Sequence, residues 1–283
     1  MSTMREVDSS WKSRATIEGA GVHLKRALGP GEAKRADPFL LLDDFHSADP
    51  ADYIAGFPWH PHRGIETVTY VIRGLIEHGD SIGNKGAIGS GDVQWMTAGG
   101  GILHQEMPRE YSGMMQGFQL WVNLPASGKM MRPRYRDVKS SQIPEAVTAD
   151  GASVKVIAGE VEGTRGPVRD LVVESEYLDV SIKPGKSFSH GVRRGNTAFA
   201  YIFEGRGGFG GNGKSFGPED LILFEDGDTV QARAGKDGIR FLLVSGKPLR
   251  EPIAWGGPIV MNTEEELDTA FRELREGTFI RGR

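Results

Sequence analysis

Short runs of β-branched and aromatic residues recur along the whole chain, each cut off by Gly, Asp, Asn or Pro. Eight of them predict strands: Thr67–Ile72, Val93–Thr97, Gly117–Val122, Val154–Ile157, Leu178–Ile182, Ala198–Phe203, Asp220–Phe224 and Ile239–Val244. Val, Ile, Thr, Tyr, Phe and Trp suit a pleated, half-buried surface, whereas Gly, Asp and Asn accept the dihedrals of tight turns. Many short strands at close spacing favour an all-β barrel or sandwich over an α/β fold. One segment keeps a different period. Thr263 with Glu266 forms a capping box, and Leu267, Ala270, Phe271 and Leu274 follow at i, i+3, i+4 and i+7. This predicts a C-terminal helix closed by Gly277 and packed on the outside of a barrel.

The strand pattern also repeats. Thr69-Tyr70-Val71-Ile72-Arg73-Gly74 resembles Ala200-Tyr201-Ile202-Phe203-Glu204-Gly205, and Gly91-Asp92-Val93-Gln94-Trp95 resembles Glu219-Asp220-Leu221-Ile222-Leu223. Each half thus holds a strand ending in Gly, a hairpin, and a second strand opened by an acidic turn. Two copies of one small barrel account for 283 residues better than a single large core does. The expected division is an N-terminal barrel over residues 1–130 and a C-terminal barrel with the terminal helix over 131–283. The link is expected in the polar stretch 126–150, which lacks strand periodicity.

Composition narrows the chemistry. Forty glycines are about twice the average usage of roughly 7% and are scattered as turn punctuation. A net charge of −4 without a basic tail argues against direct nucleic-acid binding. Cysteine is absent, which removes disulfides, thiolate ligands and cysteine nucleophiles. No apolar run approaches the roughly 20 residues that span a bilayer, and the polar N-terminus does not read as a signal peptide. The expectation is a soluble, cytoplasmic protein with no membrane partner.

Any metal must therefore be held by His, Asp, Glu or backbone oxygen. His60-Pro61-His62 and His104-Gln105-Glu106 each place two candidate ligands two residues apart. In a strand, i and i+2 share a face, so two such strands side by side offer three imidazoles and a carboxylate to one interior. That set suits one divalent first-row ion (Fe, Mn, Ni, Cu or Zn) and is too nitrogen-rich for Mg or Ca. On an octahedral ion it leaves two positions open for substrate or dioxygen. The glycine run Gly99–Gly101 before the second pair permits close backbone approach. His23 and His46 read as isolated groups and His190 as a solvated loop residue, while His78, after an expected hairpin, reads as a surface turn with a place near the cavity mouth as the alternative.

Longer motifs surround these pairs. Gly56-Phe57-Pro58-Trp59-His60-Pro61-His62-Arg63-Gly64-Ile65-Glu66, continuing to Gly74, resembles the first cupin motif. Residues 91–108, with Gln94-Trp95-Met96-Thr97-Ala98-Gly99-Gly100-Gly101-Ile102-Leu103-His104-Gln105-Glu106 at their centre, resemble the pirin family's version of the second. Asp37-Pro38-Phe39, Leu42-Asp43-Asp44-Phe45, Gln119-Leu120-Trp121-Val122-Asn123-Leu124-Pro125 and Gly257-Pro258-Ile259-Val260-Met261-Asn262-Thr263 extend the likeness over nearly the whole chain.

The resemblance implies two tandem cupin barrels (double-stranded β-helix, jelly-roll-like) with one metal in the N-terminal barrel, most often Fe(II). The family's ligands fall on His60, His62, His104 and Glu106. The common cupin pattern would use Glu66 instead, and family likeness favours Glu106, leaving Glu66 as a buried acid paired with Arg63 or a backbone donor. The histidines of the first motif fall opposite Gly191 and Arg193 in the second half, so the C-terminal barrel is expected to lack a metal. Some pirins cleave quercetin with dioxygen and release carbon monoxide, which implies a small aromatic substrate, O2, and Glu106 as the catalytic base. Phe57, Trp59, Met96 and Phe118 are candidate cavity residues. Other pirins bind transcription factors or metabolic enzymes, so a regulatory role with a protein partner is the first alternative. A different metal reaction on the cupin scaffold, such as isomerisation or decarboxylation of a small acid, is the second.

Overall fold

The computed structural model describes residues 2–211 and 213–280. All eight predicted strands are present, two of them, Val93–Thr97 and Asp220–Phe224, with the expected bounds. The predicted helix is present as the one α-helix among the described residues, Glu264–Glu276. Thr263 accepts from the Glu266 amide, the Glu266 side chain returns the bond to the cap, and Gly277 closes the helix with a left-handed φ of 73°. The fold is all-β, with two cupin domains.

The first unit comprises Arg14–Ala33, Phe39–Ser140 and Leu249–Arg283. Its larger sheet has seven strands, in the order Arg134–Val138, Val93–Thr97, Ile65–Arg73, Met115–Asn123, Phe39–Ser47, Val22–Leu28 and Arg14–Glu18. A four-stranded sheet, Phe57–His62, Ile102–Pro108, Leu75–Asp80 and Lys85–Gly89, completes the barrel. Ile102–Pro108 alternates buried and half-buried residues along its length, the signature of a strand with one face turned inward. The short hairpin Ala254–Gly256 and Ile259–Met261 packs with the helix in a cluster of Met261, Leu267, Ala270 and Phe279.

The second unit comprises Met1–Ser13, Lys34–Pro38 and Ser141–Pro248. Its nine-stranded sheet is built on two long bent strands, Thr197–Phe209 and Thr229–Gly246, which pair along most of their length across two bulges. Val7–Lys12 enters this sheet beside Asp220–Phe224. The interior is apolar and centred on Phe188, Phe209, Phe216, Phe224 and Phe241.

The division therefore departs from a single cut at residue 130. The N-terminal strand joins the barrel formed by the later part of the chain, and the terminal helix joins the barrel with the histidine pairs. The stretch 126–150 contains the crossing point at Ser140/Ser141, yet much of it is strand: Arg134–Val138 pairs with Val93–Thr97 and Glu145–Val147 with Ala152–Ala158. Both are edge strands, whose polar faces hide the alternation on which strand prediction depends. No described helix is long and apolar enough to cross a membrane.

Candidate metal centre

The four-stranded sheet places the two histidine-bearing pairs side by side. His104 lies directly opposite His60, and Ile102 opposite His62. Cross-strand partners share a face, so the three imidazoles converge, with ring centroids 4.3 Å (His60–His104), 4.8 Å (His60–His62) and 5.0 Å (His62–His104) apart. One ring nitrogen from each lies within 4.8 Å of the other two, and among the described residues this is the one such group of three His, Asp or Glu donors.

The hydrogen bonds determine which nitrogens face inward. His60 Nδ1–H donates to the Pro58 carbonyl at 2.9 Å and His62 Nδ1–H to the Pro258 carbonyl at 3.0 Å. Each Nε2 is then left as an unprotonated acceptor, and the two stand 3.1 Å apart. Two imidazole lone pairs at that distance repel unless a proton or a cation lies between them. Both nitrogens of His104 are buried without a hydrogen-bond partner. Backbone carbonyls orienting the outer nitrogen of a histidine are the usual support of a metal ligand. The donor set fits a divalent ion, and His60, His62 and His104 could hold one. Burial lowers the pKa of all three, with His62 brought down to about 3, so each is neutral at physiological pH and its lone pair is available.

Glu106 shares the inward face two residues after His104 and is 6% exposed. It stands outside the tight three-histidine group: its Oε1 lies 2.7 Å from the Thr69 hydroxyl, which also lies 2.6 Å from Gln119 Oε1. One hydroxyl hydrogen cannot serve both acceptors. The set is completed by a proton on Glu106 or by Gln119 turned to donate its amide. Burial pushes the Glu106 carboxyl up to about 7, against the opposing pull of Thr69.

Glu66 is placed elsewhere. It sits three residues before Thr69 on the same strand, hence on the opposite face. There it accepts from Thr97 Oγ1 at 2.6 Å and Trp95 Nε1 at 3.1 Å. The expected Arg63 partner is absent, because Arg63 is used otherwise. Its guanidinium is 1% exposed, donates to the Gly100 and Phe279 carbonyls at 2.8 and 2.9 Å, and pairs with Glu273 at 2.7 Å. Arg63 thus anchors the C-terminal tail beside His62. Gly64, at φ 79°, lets the chain pass the Val260 carbonyl, where a Cβ would come within 1.9 Å.

A cavity of about 690 Å³ opens onto the cluster. Phe57 and Trp59 line it as expected, while Met96 and Phe118 are wholly buried core residues that do not. Trp121, edge-on to His62 at 5.0 Å, and Trp255, 6.0 Å from Trp121, form a wall that sequence reasoning missed. Trp121 was visible in the Gln119–Pro125 motif, but nothing local ties Trp255 or Pro258 to residues 60–62.

Two other histidines differ from expectation. His78 is 4% exposed, stacks on Tyr135 at 4.8 Å, pairs with Asp80 at 3.3 Å and lies 5.6 Å from His104. It is opposite Glu106 on the neighbouring strand, not in a surface turn. His190 lies half-buried in the strand Ser187–Gly191, 3.2 Å from Glu176, not in a loop.

A pirin family model matches residues 21–122, and one for the pirin C-terminal cupin domain matches residues 177–280. The chain belongs to the pirin family. It is 44% identical over 269 residues to a pirin-like protein of Caulobacter vibrioides, covering 95% of this chain and 96% of that one. With human pirin it shares 41% identity over 280 residues, covering 97% and 94% of the two chains. The crystal structure of a quercetin 2,3-dioxygenase from Acinetobacter baumannii superposes on this pirin-family chain with a TM-score of 0.90 and 31% identity, covering 98% of this chain and 99% of that one.

Proposed function

We propose that this chain is a metal-dependent dioxygenase that opens the central ring of quercetin-like flavonols with O2 and releases one ring carbon as carbon monoxide. Its ligands would be His60, His62, His104 and Glu106, holding one divalent ion, with Fe(II) preferred. The observation that carries the reading is the pair of Nε2 lone pairs 3.1 Å apart, each oriented by a backbone carbonyl, at the end of an aromatic-lined cavity. The full-length similarity to a quercetin 2,3-dioxygenase supports the substrate class.

A divalent ion bound by this set supplies Lewis acidity that lowers the pKa of a bound hydroxyl and opens a route to dioxygen chemistry. The chain's own residues do the rest. Trp121 and Phe57 offer flat apolar faces that orient an aromatic substrate and exclude water. Glu106, a buried carboxylate two residues from His104 on the same face, takes the proton from the flavonol 3-hydroxyl. Thr69 holds one carboxylate oxygen of Glu106 and leaves the other for the substrate.

The test is oxygen uptake and carbon monoxide release from quercetin by iron-loaded protein beside its Glu106→Ala variant, with metal content measured in both. Turnover that collapses in the variant supports both the reaction and the base. Equal turnover removes Glu106 from the mechanism. Metal bound without turnover in the unaltered protein sinks the enzymatic reading in favour of a regulatory one.

A further inference from the structure

The wall of the cavity carries a polar row of which the proposed chemistry uses only Thr69. Across the seven-stranded sheet, Arg26 stands opposite Asp43, Asp43 opposite Gln119, and Gln119 opposite Thr69. Directly opposed residues point to one face, and all four line the cavity. Their neighbours on the same face are apolar: Leu24 beside Arg26, Leu41 and Phe45 flanking Asp43, and Trp121 beside Gln119. The row begins at Thr69, which touches Glu106, and ends at the ion pair.

That pair is costly to keep there. Asp43 is 5% exposed and receives two bonds from Arg26, Nε to Oδ1 and Nη2 to Oδ2, each at 2.8 Å. Arg26 Nη1 reaches Glu18 at 2.9 Å. A buried ion pair is often no more stabilising than a packed apolar pair of the same volume, so holding the barrel together does not by itself call for one. Each Asp43 oxygen uses one lone pair on Arg26 and keeps another that can accept an O–H. With two carboxylates around one guanidinium, this end of the cavity suits neutral hydroxyl donors and repels anions.

We propose that Asp43, held by Arg26, is a remote subsite that selects substrates bearing phenolic hydroxyls on a terminal ring, away from the end bound at the histidines. The inference rests on the flavonol reading and deepens it. Adjacent strands are about 4.8 Å apart, so the two steps from Thr69 to Asp43 span roughly 10 Å. A two- or three-ring scaffold crosses that distance, and a single-ring phenol does not. Asp43 sets specificity and takes no part in bond breaking.

The experiment compares ligands with and without terminal-ring hydroxyls. Binding of luteolin and of unsubstituted flavone, neither of which carries the reactive 3-hydroxyl, is followed by quenching of tryptophan fluorescence in the metal-loaded protein. KM and kcat are measured for quercetin and 3-hydroxyflavone. We expect the hydroxylated member of each pair to bind about tenfold more tightly, the value of one hydrogen bond to a carboxylate. In Asp43→Asn, or in an Arg26→Met/Asp43→Leu double variant that keeps the wall packed, the ratio should fall below about threefold. A ratio near one in the unaltered protein, or one that survives in either folded variant, overturns the subsite. Discrimination in binding without turnover of either flavonol supports the subsite and sinks the dioxygenase reading. Turnover without discrimination does the reverse.

Discussion

The two barrels solve the same construction problem with opposite interiors. In the second unit, the strand Ser187–Gly191 turns Phe188 inward; Phe241 meets it at a centroid distance of 6.0 Å, and Phe209 meets Phe241 at 5.0 Å, to fill the space. In the first unit, the strand Phe57–His62 presents His60 and His62 instead, and a cavity of about 690 Å³ remains beside them. Phenylalanine gains free energy from being buried, whereas imidazoles buried without partners lose it. The second barrel is thus built for stability. The first gives up stability to hold a set of converging lone pairs that could take a divalent ion.

That contrast is open to direct attack. Phe241→Ala should cost about 3–5 kcal/mol, read as a lower urea midpoint, with metal stoichiometry unchanged. His104→Ala should do the opposite, weakening metal binding at least about 100-fold while moving the metal-free midpoint little, because it deletes two unpartnered buried nitrogens. If His104→Ala destabilised the metal-free protein as much as Phe241→Ala does, the histidines would be core and the comparison would fail.

The tail sharpens the boundary between the two interiors. Glu273→Gln removes the charge partner of Arg63, which is 1% exposed, and should cost about 3 kcal/mol. Hydrogen exchange should then accelerate in the strands Phe57–His62 and Ile102–Pro108. Acceleration in Thr197–Phe209 instead would show that the tail serves the other barrel.

Glu106 gives a pH-dependent version of the same test. Its carboxyl titrates near 7 when folded, against 4.5 ordinarily, so the folded state binds more protons between those values. Stability from this group is present below pH 4.5 and lost as pH rises through 7. Relative to Glu106→Gln, which lacks the titration, the metal-free protein should lose about 3 kcal/mol between pH 4.5 and pH 8. The histidines titrate in both proteins and drop out of the difference. Parallel pH–stability curves would show that Glu106 is not buried in a low-dielectric site.

Much of this was legible because it is local. Period-two runs such as Val93–Thr97 and the capping box at Thr263 are written in consecutive residues, as are the spacings of His60 with His62 and His104 with Glu106. What stayed hidden depends on distant chain. The Pro258 carbonyl that orients His62 lies 196 residues away, and Glu273 and Phe279 are as remote from Arg63. His78 shows the limit within one strand. A Gly-Asp sequence beside it reads as a turn, but the strand runs through His78 to Asp80 and the turn begins only after it, with Asp80 receiving Asn84 and pairing with His78.

The smallest effect concerns the helix that brings this remote chain to the site. Thr263 accepts from the Glu266 amide, and Glu266 answers the cap amide, so Thr263→Ala leaves one first-turn donor without its partner. The cost should be about 1 kcal/mol. Because the helix carries Glu273, fraying at its start should lower metal affinity slightly, by less than the Glu273→Gln change does. Isothermal titration of the metal into both variants ranks them. A Thr263→Ala variant that lost as much metal affinity as Glu273→Gln would mean that the helix acts as one rigid lever on His62, with Arg63 only one of its points of contact.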